Sequence, residues 1–307
     1  MFKLITRTIQ WLGSRVAVIY LIALVFCFTC VDLKNLNMRI KTRHLNDAIP
    51  DFSNMITFSQ DPAIKNDLDW MPYKNYFELV LRYLPDDVLT KQLLAYADYY
   101  SGQEQKAIDL FQQASTIHGQ YLFWPNYNLG VLYYRKGMWP QAADALFKAI
   151  ASNPELTLIL DEKSMVYRQI RSSPDFKYSL SDEIKGAQGD AYVLLLSTLH
   201  HLRQYNKIFV VAKIALTNPN LPDKDAFYYY TGLGLYEAGQ LEKAFLFFQK
   251  SLALEKNNPE VYYYIANIFK NIGQQEQAKD YYQASYLLHQ KNDPRFPYDA
   301  RMNLRFF

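Results

Sequence analysis

One pattern returns along this chain every 34 to 36 residues, and it limits the fold more than any other feature. Its clearest copy reads Leu129-Gly130-x-x-Tyr133, followed by Gly137, Ala142, Ala149 and Pro154. A second copy carries Gly232, Leu235, Gly239, Ala244 and Phe248, and a third carries Ala266, Phe269, Gly273, Ala278 and Tyr282. Gly239 and Gly273 stand 34 residues apart, as do Ala244 and Ala278. A fixed period of this length is the signature of stacked helix pairs, each too small to bury its apolar face alone. The expected fold is therefore all-α, an elongated solenoid without a globular centre.

Small residues at fixed points let paired helices approach, and large ones fill the gaps between them. The motif resembles the tetratricopeptide repeat, a 34-residue helix–turn–helix unit, over roughly residues 75–290. That resemblance implies a right-handed superhelix and a protein-binding role. Tyr76-Phe-Glu-Leu-Val-Leu-Arg-Tyr-Leu-Pro85 looks like a second helix standing alone. Ala95, Gly102, Ala107, Phe111 and Ala114 mark the next unit, and residues 123–156 form the most regular one, with Asn126 where the family commonly has an aromatic. Residues 189–224 form a degenerate copy: Arg203 replaces the turn glycine and Ile208 the small alanine, while Ala215 and Pro219 keep the rhythm. Units beginning near 225 and 259 close the array.

The expected organisation is a basic tail and membrane anchor at 1–33, a linker at 34–74 and N-terminal repeats at 75–156. An irregular insertion follows at 157–188, then C-terminal repeats at 189–291 and an aromatic tail at 292–307. Asp161 to Arg171 can be helical, whereas Ser172 to Asp182 reads as loop. The insertion either divides the superhelix into two lobes or covers part of its groove. The tail is expected to dock on the last repeat or on a partner.

In the family, the concave face is built mostly by the first helix of each unit. Matched residue by residue, the resemblance places Tyr96, Tyr99 and Tyr100 there, then Trp124, Tyr127, Val131, Tyr134 and Arg135. Tyr229, Leu233, Tyr236 and Glu237 follow, and then Tyr263, Asn267, Lys270 and Asn271. Such a face is aromatic and sparsely charged. Tyrosine offers a flat apolar body with a hydrogen-bonding tip, which suits a groove for a peptide or protein. Any one of these rings could instead serve inter-helix packing. Relatives that clamp acidic C-terminal tails use lysines where this chain has Gln92, Tyr127, Tyr229 and Tyr263, which argues against such a partner.

Residues 16–31 are uncharged and almost wholly apolar. Trp11, Leu12 and Gly13 extend the run towards the length a bilayer needs, about 20 residues. A cleaved signal peptide is the rival, since Lys3, Arg7 and Arg15 precede the run, but no clean small-x-small site follows it. Cys27 and Cys30 are the only cysteines, and thiols in hydrocarbon stay protonated and inert. They are read as apolar anchor residues. Lys34, Arg39, Lys41 and Arg43 beyond the run nearly balance the three cations before it, so charge alone does not fix orientation. The favoured arrangement is a bacterial inner-membrane protein with its repeats in the periplasm; repeats on the cytoplasmic side are the alternative.

No catalytic motif is present, neither a glycine-rich phosphate loop nor His-Glu-x-x-His nor Gly-x-Ser-x-Gly. The adjacent His200 and His201 would point about 100° apart on a helix and would not readily share a metal. No cofactor, metal or catalytic residue is expected. A net charge of +3 over 307 residues gives no electrostatic case for nucleic acid. The function expected is a non-catalytic, membrane-anchored scaffold or adaptor, with protein or peptide in the groove and the bilayer at residues 16–31, serving an envelope protein complex. A permanent accessory subunit of a membrane complex is the alternative, and an enzyme with an unfamiliar site is a remote one.

Overall fold

The computed structural model describes residues 38–55, 68–153, 156, 160, 163–173 and 180–291. Helix α1 (Met71–Tyr83) precedes the hairpins α2 (Val88–Tyr100) with α3 (Glu104–Ala114) and α4 (Phe123–Arg135) with α5 (Trp139–Ile150). The short α6 (Met165–Arg171) separates these from α7 (Leu180–His201) with α8 (Tyr205–Thr217), α9 (Lys224–Glu237) with α10 (Leu241–Leu254), and α11 (Pro259–Asn271) with α12 (Gln275–Lys291).

All five hairpins turn in the same way. Gly102, Gly137, Gly239 and Gly273 hold φ between +68° and +82°, the left-handed region where a side chain is strained. In each turn this residue's N–H reaches back three residues and the next N–H five. Gly239 donates to the Tyr236 carbonyl and Gln240 to the Leu235 carbonyl, both at 2.9 Å. This pair of hydrogen bonds ends the first helix and satisfies its last carbonyls. Arg203 makes the same pair, to His200 and Leu199, with φ +55°. The degenerate copy therefore keeps the turn and carries its strain. Arg203→Gly is expected to raise stability by about 0.5–1 kcal/mol, read as a higher urea midpoint. No gain would mean that the arginine side chain offsets the strain.

The small residues act by absence. A Cβ on Gly130 would stand 2.5 Å from Leu146 Cγ, and one on Gly232 would stand 2.8 Å from the Phe248 ring. Ala107, Ala142, Ala244 and Ala278 are buried at the facing position, where α8 has the buried Ile208. In the last two units a serine hydroxyl ties the second helix to the start of the first: Ser251 donates to the Asp225 carbonyl at 2.8 Å and Ser285 to that of Pro259 at 2.9 Å.

The described part of the segment assigned to a linker, residues 38–55 and 68–74, packs into the core. Residues 38–46 form a helix, and Leu45, Phe52, Met55 and Trp70 are each no more than 5% exposed. Phe52 stacks on Phe77 with centroids 6.2 Å apart, and the Tyr73 hydroxyl donates to the Asp51 carbonyl at 2.9 Å. Trp70 stacks on Tyr100 at 5.8 Å and meets Tyr96 edge-on at 5.7 Å. A solenoid end exposes the apolar face that another repeat would cover, and this segment covers it. Lys74 on α1 and Asp98 on α2 form an ion pair, with side chains 7% and 6% exposed.

The loop before α4 is a two-stranded antiparallel ribbon, Thr116–Ile117 with Gln120–Tyr121, and among the described residues the other secondary-structure elements are helices. It explains Asn126. The buried Asn126 amide donates to the Ser115 and Leu122 carbonyls, both at 2.7 Å, and pins the base of the ribbon with two bonds that an aromatic could not make. In the insertion, Ser164 caps α6, and its hydroxyl donates to the Asp87 carboxylate that caps α2, at 3.0 and 3.1 Å. Helix α6 thus folds back onto α2, while α7 stacks directly on α5. One hydrophobic core runs from Leu45 to Ile268. Residues 180–188, expected to be irregular, belong to α7 because the buried Ala187 and Ala191 extend its apolar face. Among the described residues no helix is long and apolar enough to cross a membrane. The segment 16–31, both cysteines, Lys34 and the tail 292–307 lie outside the described residues.

Candidate functional site

The residues expected to line one groove divide into two groups. In the first group are Tyr96, Trp124, Tyr127, Val131, Tyr134, Tyr229 and Leu233, none more than 8% exposed. Those side chains serve packing. Trp70 covers Tyr96 and lies flat on Tyr100, whose hydroxyl burial holds above its ordinary pKa. Tyr127 stacks on Phe123 at 5.9 Å, with Trp124 edge-on at 6.4 Å. Gln92, at the matching position one unit earlier, is also buried, with neither atom of its amide hydrogen-bonded. Tyr134 points to the next hairpin, its hydroxyl 2.8 Å from Ser197 Oγ and 3.3 Å from His201 Nε2.

The second group meets solvent. Tyr99 is half-buried and accepts from the exposed Arg135 guanidinium at 2.7 Å. Tyr236 and Asn267 are half-buried; Glu237, Tyr263, Lys270 and Asn271 are exposed, Tyr263 by 45%. The inner face is therefore open mainly at α9 and α11. There Tyr282 of α12, absent from the sequence-based set, donates its hydroxyl to Asn267 Oδ1 at 2.5 Å. The contact leaves the Asn267 amide N–H groups as donors. Tyr282 also lies 5.8 Å from Tyr263, ring to ring. Burial raises the Tyr236 pKa, opposed by a hydrogen bond from Asn271, and burial with the facing tyrosines raises that of Tyr282. Both hydroxyls stay neutral donors at physiological pH. This surface offers aromatic faces and amides, with Lys270 and Glu237 exposed beside them.

His200 occupies the position in α7 that Tyr236 occupies in α9, three residues before the turn. Burial, then the neighbouring His201, lowers its pKa from 6.5. A depressed folded-state value means the fold binds its proton less readily than the unfolded chain. Stability is then level above pH 6.5 and falls as pH drops below it through the depressed value. His200→Gln is expected to flatten that part of a stability profile between pH 7 and 5; an unchanged slope would assign it to other groups. Beside it His201 stacks flat on Trp139, centroids 4.1 Å apart. Among the described residues no three His, Cys, Asp or Glu side chains come together as a metal site.

A family model described as tetratricopeptide repeat matches residues 247–280, from the later part of α10 through α11 into α12. The hairpins that precede it repeat the same turn, and Gly130 and Gly232 each sit against a large side chain of the facing second helix. Residues 247–280 are a tetratricopeptide repeat. No curated protein matches it. Among solved structures, one titled crystal structure of MamA is 16% identical, covering 64% of this chain and 95% of that one, with a TM-score of 0.45. Another, YrrB, titled a TPR protein with an unusual peptide-binding site, is 15% identical over 82% of this chain and 97% of that one, with a TM-score of 0.39.

Proposed function

We propose that this tetratricopeptide array is a non-catalytic scaffold that holds an extended segment of a partner protein on the inner face of α9 and α11. The observation that carries this is the accessible set of Tyr263, Asn267 and Tyr236 with the Tyr282–Asn267 hydrogen bond behind them. An asparagine amide can pair with a peptide's own backbone, and flat rings can pack beside it whatever its sequence. Fixing Asn267 from behind lowers the ordering cost of binding. The apolar run 16–31 supports a second part of the proposal, that the array is tethered to a bilayer, with the repeats on the periplasmic side of a bacterial inner membrane.

A photo-crosslinking residue at Tyr263 in the full chain tests the first part. A discrete partner is expected, lost in Asn267→Ala and Tyr236→Ala but retained in Tyr127→Phe, which removes only a buried hydroxyl. Equal capture by all three variants would sink the assignment of the face. Alkaline extraction of membranes, with a C-terminal reporter active only outside the cytoplasm, tests the second. Release of the chain by alkali, or a silent reporter, would overturn the tether or its orientation.

A further inference from the structure

Helix α8 carries aliphatic residues on its outer side as well as its inner one. Its sequence Ile208-Phe-Val-Val-Ala-Lys-Ile-Ala-Leu216 turns Ile208, Val211, Ala212 and Ala215 into the array, where they are buried. A second helix of an ordinary repeat would be polar on its remaining side. Here Val210 and Ile214, one turn apart, stand in water, 53% and 52% exposed. Isolated exposed aliphatics carry little meaning, but Val210 lines a trench of about 610 Å³ between α8 and α10, and Ile214 stands one turn further along the same helix. Phe209 and Phe247 form its walls, and Gly234 and Leu235 of α9 its floor. A Cβ on Gly234 would lie 3.0 Å from that of Phe209, so the missing side chain keeps the floor low. By helical rotation Gly234 and Leu235 lie away from Leu233 and Tyr236, so this trench is separate from the inner face.

The trench is charged with one sign. Lys213 and Lys243 line it and no carboxylate does; α8 contains no Asp or Glu at all. The Lys213 ammonium rests 5.8 Å over the Phe209 ring, and that of Lys243 donates to Gln240 Oε1 at 3.0 Å. Among the described residues neither has an ion-pair partner. Lys250 lies along the same side of α10, 5.0 Å from the Phe247 ring centroid.

We infer that this outer trench is a docking site for an amphipathic helix of a partner protein that carries carboxylates beside its apolar stripe. Two neighbouring helices with a furrow between them accept a third whose side chains enter at every third or fourth residue. Acidic residues at the edges of that stripe meet Lys213 and Lys243, which are held in place by their contacts with Phe209 and Gln240. A flat bilayer surface cannot fill a furrow whose floor is a glycine on the underlying helix. A second copy of the chain, docked face to face, would set lysine against lysine.

The test uses the full chain in phosphatidylcholine nanodiscs and random-sequence peptides displayed on phage. Enriched peptides are expected to space aliphatic residues by three and four and to carry Asp or Glu beside them. Their affinity is expected to fall about tenfold in Lys213→Glu/Lys243→Glu, with weaker binding as salt rises. It is expected to fall at least as far in Val210→Asp/Ile214→Asp. Peptides with lysine in place of their carboxylates are expected to regain affinity for the charge-reversed chain, a swap that a folding defect cannot imitate. Tyr263→Ala is expected to leave all of this unchanged, separating the trench from the inner face. Peptides that bind both altered chains normally would overturn the inference. So would binding of these residues to phosphatidylglycerol vesicles, or self-association of the chain lost in Val210→Asp/Ile214→Asp.

Discussion

Asp98→Ala is expected to cost about 3–5 kcal/mol, among the largest losses any single change in this chain can produce. Asp98 and Lys74 are both nearly excluded from water and pair across α1 and α2. Together they offset each other's desolvation. Removing the carboxylate leaves an ammonium buried without its counter-charge, which is costly whatever the intact pair contributes. Lys74→Met is therefore expected to be damaging as well, through the abandoned Asp98. The double change Lys74→Met/Asp98→Leu is expected to recover most of the loss, since an apolar pair of similar volume needs no compensation. Urea unfolding of the three variants measures this directly. If the double variant is as unstable as either single one, the pair matters for shape rather than charge.

The periodic part of the fold was legible because its causes are local. A turn that needs positive φ selects glycine, and a helix crossing that admits no side chain selects Gly130 or Gly232 opposite Leu146 or Phe248. Even Arg203 could be placed, since Ala215 and Pro219 hold the register around it. Solvent access was not legible in the same way. The positions of Gln92, Tyr127, Tyr229 and Tyr263 are equivalent in the repeat, yet only the last is exposed. Whether an inner-face ring meets water depends on what stacks next to it, and that is set by elements outside the pattern. Trp70 has no repeat position and covers Tyr96; Ser197 sits on the next hairpin and engages Tyr134. Tyr282 was counted as a gap-filling residue of a second helix, and the sequence held no sign that its hydroxyl reaches Asn267. The apolar outer side of α8, in contrast, stands in the sequence as a run broken only at Lys213, but a run alone does not say which side is left uncovered.

Trp70→Ala is expected to cost about 3–5 kcal/mol, and to do so unevenly along the molecule. The indole is 5% exposed and contacts Tyr73, Tyr96 and Tyr100, so its removal opens a cavity and uncovers the end of the array. Stacked repeats touch only their neighbours, so damage at one end need not reach the other. Backbone amides of α2 and α3 are expected to exchange faster, and those of α9 to α12 to keep their protection. The Tyr100 hydroxyl supplies a second readout. Burial holds its pKa above 10, and with Trp70 gone its titration is expected to move back towards that value. Trp70→Phe keeps a ring over Tyr100 and is expected to recover part of both effects. Equal loss of protection in α2 and α12 would show that the array unfolds as one cooperative unit. The segment before α1 would then be an integral part of that unit, not a local cover for its exposed end.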